Sequence, residues 1–122
     1  MYELVIEEEF SAAHQLRQLP DNAEPLHGHN WRVQVSVTAQ DLDEHGLVMD
    51  FARLREQVRA EVAPFAQRFL NEIPPFTRLE PSAENVAKWL YERVTERVNS
   101  GRVRVSRVMV WESSAAGATY ST

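Results

Sequence analysis

The chain reads as an α+β domain in which a strand hairpin, two amphipathic helices and a closing hairpin follow in the order ββααββ. Three observations predict it. Residues 31 to 40 alternate apolar and polar without a fault, two later segments repeat apolar residues at helical spacing, and residues 103 to 121 alternate again across a small-residue turn.

Residues 2 to 10 set Tyr2, Leu4, Ile6 and Phe10 on one side and Glu3, Glu7 and Glu9 on the other, as a strand with one buried face would. From 31 to 40, Trp31, Val33, Val35, Val37 and Ala39 face one way, and Arg32, Gln34, Ser36, Thr38 and Gln40 the other. Between these strands, Pro20, Asp21, Asn22, Pro25 and Gly28 favour loop over regular structure. After a turn at residues 41 to 46, Asp50 is placed to cap a helix carrying Phe51, Leu54, Val58 and Val62, which Pro64 either kinks or ends. Residues 71 to 81, with Pro74, Pro75 and Pro81, form a connector. Ser82 caps a second helix whose stripe is Ala83, Val86, Ala87, Leu90, Val94 and Val98, and Asn99-Ser-Gly101 supplies its stop. Residues 103 to 112 and 117 to 121 close the chain as a hairpin across Ala115-Ala-Gly117. The expected architecture is a four-stranded antiparallel sheet with both helices on one face. The opposite face, with its long polar side chains, suits a polar interior shared between subunits.

A length of 122 residues, 43% of them hydrophobic, suits a single domain spanning 1–122, and self-association through sheet edges is a natural way to bury more surface. A net charge of −5 without any Lys/Arg block argues against a nucleic-acid partner; Arg102, Arg104 and Arg107 alternate like the wet face of a strand. The acidic start lacks the character of a signal peptide and no apolar run approaches membrane-spanning length, so a cytoplasmic protein with no membrane partner is expected. The absence of cysteine excludes disulfides, thiolate metal ligands and a thiol nucleophile together.

The chemistry-bearing residues are histidines. His27-Gly28-His29 places two imidazoles on one face of an extended backbone. His14 stands just past the end of the first strand, so pairing of 2–10 with 31–40 delivers it opposite them. Three neutral imidazoles leave a fourth position of a zinc ion open, the pattern of a catalytic site. On spacing alone, separately hydrogen-bonded surface histidines explain these residues as well as a metal does. His45, in a polar turn, is expected to be solvated.

Phe10-Ser-Ala-Ala-His14, Leu26-His-Gly-His-Asn30, Gly46-Leu-Val-Met-Asp-Phe51, Pro81-Ser-Ala-Glu-Asn85 and the late Glu112, in this order over essentially the whole chain, resemble the 6-pyruvoyltetrahydropterin and 6-carboxytetrahydropterin synthase family. The resemblance implies a tunnelling fold, with trimers closing sheets into a barrel and two trimers stacking into a homo-hexamer. It implies Zn2+ on His14, His27 and His29, and a small-molecule pterin whose pyrimidine ring is gripped by Glu112 through paired N–H bonds. Ser82 stands where the family usually has a threonine touching the pterin, and helix capping explains it equally well. The departures carry as much information. The family's cysteine base falls on Ala23, and its helper Asp-His pair falls on Ala66 and Gln67. Glu24, three residues before His27, matches a family variation in which a glutamate replaces the cysteine and the dihydroneopterin triphosphate side chain is cleaved; solvent exposure in a polar loop is the competing account. The expected function is therefore a zinc-dependent lyase acting on dihydroneopterin or its triphosphate, with Glu24 as the catalytic base. The alternatives are a pterin-binding protein that has lost catalysis, or a 6-carboxytetrahydropterin synthase-like enzyme, which the lack of cysteine disfavours.

Overall fold

The computed structural model describes residues 1–18 and 25–122. Strand β1, Tyr2–His14, pairs antiparallel with β2, His27–Ala39, in one unbroken ladder from Tyr2 opposite Ala39 to His14 opposite His27. Both strands are longer than the alternation predicts. Ser11 to His14 and His27 to Asn30 have little strand propensity of their own. Their ladder continues because Phe10 and Trp31 stack with centroids 5.9 Å apart and the Trp31 indole N–H donates to the Ala12 carbonyl at 3.2 Å.

Asp50 caps α1, Phe51–Val62, by accepting the Ala52 N–H at 2.8 Å. Pro64 ends that helix in a 3-10 turn, and the chain then runs back along the edge of β1 as β3, Arg68–Phe69. Helix α2, Ala83–Val98, leads into β4, Arg104–Ser113, and β5, Ala116–Ser121. The sheet order is β3-β1-β2-β4-β5, with β3 parallel to β1 and the other pairs antiparallel. The sheet is thus five-stranded and mixed, not four-stranded and antiparallel. Two residues are too few to leave an alternation, so β3 is invisible in the sequence; it is fixed instead by burial of Phe65 before it and Leu70 after it.

The inward faces of β1, β2 and β4 and the stripes of both helices share one core. Trp31, Val33, Val35, Val37, Leu54, Leu90 and Val108 are fully buried within it. Phe51 departs from the predicted stripe and is 54% exposed. Glu8, at an inward position of β1, is met by Arg55 and Arg59 of α1 at 2.9 and 3.0 Å. The buried Glu61 ties α1 to Arg97 and Arg93 of α2 at 2.6 and 3.4 Å, which satisfies a carboxylate that burial would otherwise penalise. The outer face of the sheet is polar, with Glu3 facing Arg107 at 3.2 Å and Gln34 donating to Glu7. Among the described residues, no helix is long and apolar enough to cross a membrane.

Candidate metal centre

The inward phase of the first hairpin ends in imidazoles. His14 follows Phe10 and Ala12 on β1, while His27 and His29 precede Trp31 on β2, so all three rings leave the core-facing side at the end of the sheet. Their centroids lie 4.5 to 5.0 Å apart at steep interplanar angles, and His14 also packs edge-on against Trp31 at 4.9 Å.

Hydrogen bonds fix how the rings present their nitrogens. The His14 Nδ1–H donates to the Pro81 carbonyl at 2.7 Å and the His27 Nδ1–H to the Pro25 carbonyl at 2.7 Å. A carbonyl only accepts, so each bond assigns the proton to Nδ1 and leaves the Nε2 lone pair for the cluster. The two Nε2 atoms face each other at 3.1 Å, and one ligand nitrogen from each of the three histidines lies within 4.8 Å of the others. A tetrahedral ion bonded at about 2.0–2.1 Å holds nitrogen ligands roughly 3.3 Å apart, so the donor set fits zinc after a contraction on the order of 1 Å.

Glu112 completes the cluster from β4. Register sets Trp111 opposite Arg32, which brings Glu112 beside Trp31 on the inward face. Its Oε1 lies 3.6 Å from His14 Nε2 and its Oε2 3.9 Å from His29 Nε2. Glu112 also borders a cavity of about 280 Å3 with Leu16, Ser82, Gly117 and Ala118, near the lower end of the size range for small-molecule sites. Ser82 both caps α2, accepting the Asn85 N–H at 3.1 Å, and lines this cavity. A larger hollow of about 540 Å3 lies against Ser11, His29, Asn30, Gln67 and Arg68, at the edge strand. Ala66 and Gln67 stand at that edge. Gln67 has a left-handed φ of 58°, and its N–H donates to the Ser11 carbonyl. Holding a non-glycine residue there costs about 1–2 kcal/mol.

The residues that position His14 leave no trace in the sequence pattern. The loop carrying Pro81 is clamped by Arg17, whose guanidinium donates to the Phe76 and Leu79 carbonyls at 3.0 and 2.9 Å and to Glu80 at 2.9 Å. Glu80 accepts the Arg17 backbone N–H at 2.7 Å as well. Burial pushes the Glu80 carboxyl up, but hydrogen bonds from Arg17 and from the Gln18 and Arg17 amides, with the Arg17 charge, outweigh it and hold the group below its ordinary value. Asn71 braces the other side, exchanging two hydrogen bonds with the Gln15 backbone at 2.9 and 2.8 Å. His45 is exposed beside Glu44, as its polar turn predicts. Ala23 and Glu24 lie outside the described residues.

Comparison with known proteins bears on what this geometry serves. A family model described as 6-pyruvoyl tetrahydropterin synthase matches residues 3–122. A dihydroneopterin monophosphate aldolase of Pyrococcus furiosus is 33% identical over 108 residues, covering 88% of this chain and 87% of that one. A putative 6-carboxy-5,6,7,8-tetrahydropterin synthase of Archaeoglobus fulgidus is 36% identical over 101 residues, 80% of each chain. Among solved structures, the Caenorhabditis elegans 6-pyruvoyl tetrahydropterin synthase superposes with a TM-score of 0.84 at 24% identity, covering 100% of this chain and 97% of that one. The α+β tunnelling fold is shared at that level.

Proposed function

The chain belongs to the 6-pyruvoyl tetrahydropterin synthase family, and from that premise we propose that it is a zinc-dependent lyase that shortens the side chain of dihydroneopterin or one of its phosphate esters. The observation that carries the reading is the convergence of three imidazoles beside a carboxylate, Glu112, that also borders a cavity of heterocycle size. The relative named as an aldolase, 33% identical over most of the chain, supports a cleavage rather than a synthase reaction.

In this reading His14, His27 and His29 would hold the ion, and the Pro81 and Pro25 carbonyls orient the His14 and His27 rings with Nε2 toward the cluster. Zinc bound there acts as a Lewis acid that lowers the pKa of a nearby side-chain hydroxyl. Glu112 accepts two N–H bonds from the pyrimidine ring, and Ser82 borders the same ring. Glu24 takes the hydroxyl proton. The alkoxide collapses to a carbonyl, the neighbouring carbon–carbon bond breaks, and its electron pair passes into the ring C=N system until a proton returns to carbon. The products are an aldehyde and a hydroxymethyl pterin, with atoms and electrons balanced and no oxidant required.

Ala66 and Gln67, where the family's helper pair is expected, favour one rival: a pterin-binding protein without turnover. The absence of cysteine counts against a 6-carboxytetrahydropterin synthase-like activity. Among the described residues β5 is the outer strand of the sheet, and an edge of this kind supports assembly of sheets into a closed ring, and with it the homo-hexamer. The test is to incubate zinc-loaded protein with dihydroneopterin, its monophosphate and its triphosphate and to follow aldehyde release. Release from any of them supports the lyase, and Glu24→Gln should slow it on the order of 100-fold or more. Recovery of every pterin unchanged removes the enzymatic reading.

A further inference from the structure

The position of Glu112 conflicts with a single role as ring anchor. A paired grip on the pyrimidine N–H groups uses both carboxylate oxygens, yet here one oxygen faces His14 and the other faces His29, at 3.6 and 3.9 Å. Neither distance is a hydrogen bond. His14 Nε2 also lies 3.1 Å from His27 Nε2, so the carboxylate and the imidazoles bring their donor atoms into one cluster. A divalent cation among these donor atoms would be held by the carboxylate and the imidazoles together. The spacings are also close to the roughly 3.3 Å that separates two ligands of one zinc ion.

We infer that Glu112 is a fourth protein ligand of the metal centre in the pterin-free protein, and that seating the pterin ring withdraws it. This rests on the zinc-pterin reading above and adds an order of events to it. A side chain on β4 that borders both the imidazole cluster and the cavity with Ser82 and Gly117 needs only a rotamer change to move between them. Because both oxygens serve either task, the two states exclude each other. Seating the ring would therefore withdraw Glu112 from the imidazole cluster as the pterin side chain arrives beside it. Reciprocity follows: a pterin that takes Glu112 but brings no hydroxyl must weaken metal binding by the same factor that the metal weakens its own.

The experiment measures zinc affinity by chelator competition and the visible spectrum of the Co2+-substituted protein, with no substrate present. Glu112→Gln should bind zinc about 10- to 100-fold more weakly than wild type, and its Co2+ spectrum should shift. Adding 6-methylpterin, which lacks a side-chain hydroxyl, should shift the wild-type Co2+ spectrum and weaken its metal binding, while leaving the variant's metal binding unchanged. Glu112→Asp, whose shorter arm falls short of the ion, should resemble Glu112→Gln, and unfolding in chelator verifies that both variants fold. Equal zinc affinity and identical Co2+ spectra for wild type and both variants overturn the inference. Failure of the wild-type protein to bind zinc at all overturns the functional reading instead, so the two failures are separable.

Discussion

Truncation of His14 to alanine separates the structural role of the ring from its proposed metal-binding one, because the three imidazoles are unequally buried. His14 is 0% exposed, packs on Trp31 and on both other rings, and donates to the Pro81 carbonyl, whereas the His29 side chain is 20% exposed. Measured in chelator, His14→Ala leaves a buried carbonyl without its donor, at about 1–3 kcal/mol, and loses the packing of a buried ring, at about 2 kcal/mol more. The sum is about 3–5 kcal/mol, a large part of the stability of a domain this size. His29→Ala should cost about 1 kcal/mol under the same conditions. On the proposed zinc reading, free zinc at a thousand times Kd should add about 4 kcal/mol to the wild type, or roughly 15 °C in Tm for a chain of this length, and both variants should forfeit most of it. Urea unfolding and thermal melts with and without zinc give all six values. The reasoning fails if chelated His14→Ala unfolds with the wild type, or if zinc raises the Tm of both variants by the wild-type amount.

Two further expectations concern the walls of the site. A Cβ at Gly117 would stand 2.7 and 2.8 Å from ring atoms of Trp111 and 3.0 Å from the Val110 carbonyl, so Gly117→Ala must displace an indole that stacks under Arg32 at 5.1 Å. It should cost about 1–3 kcal/mol in urea unfolding and shift tryptophan emission; unchanged emission and stability would show that the strand ends move freely. Glu80, held below its ordinary pKa in the folded state, contributes stability that is present above the unfolded carboxylate pKa and is lost as pH falls through the lowered value. The urea midpoints of wild type and Glu80→Gln should therefore differ at neutral pH and converge in acid, and a constant gap across that range would refute the assignment.

Much of this arrangement is legible in the sequence, and the exceptions have physical causes. The run from Trp31 to Ala39 alternates because one face is buried and the other polar, and the structure keeps that phase at every inward position. The helix caps Asp50 and Ser82 act where expected, since a short polar side chain before an apolar stripe has one obvious local partner. Strand β3 escapes because parallel edge pairing over two residues depends on where Pro64 releases the chain. The partners of the histidines escape for a different reason. Pro81 and Pro25 contribute backbone carbonyls, which every residue type possesses, and the Arg17–Glu80 clamp joins loops 63 residues apart. Pattern reading finds side chains at short period; it has no access to a carbonyl aimed by a distant ion pair.

The imidazole cluster is not an addition to the core but its continuation in register. Positions 10, 12 and 14 of β1 and 27, 29 and 31 of β2 share the inward phase, so the packing of Phe10 on Trp31 also decides where the imidazoles point. A slip of one residue in this hairpin would turn Trp31 and Val33 to solvent and scatter the histidines at the same time. The hydrophobic term therefore enforces the imidazole geometry: exposing several fully buried side chains at about 1.5–3 kcal/mol each exceeds what local strain at the loop end could recover. The same phase extends across β2 to β4, where Val108 and Val110 are buried and Glu112 follows. A carboxylate two residues beyond a core valine thus arrives beside the histidines with no chain-specific device, which is why a late glutamate in this pattern, ordinary in isolation, carries information about the site.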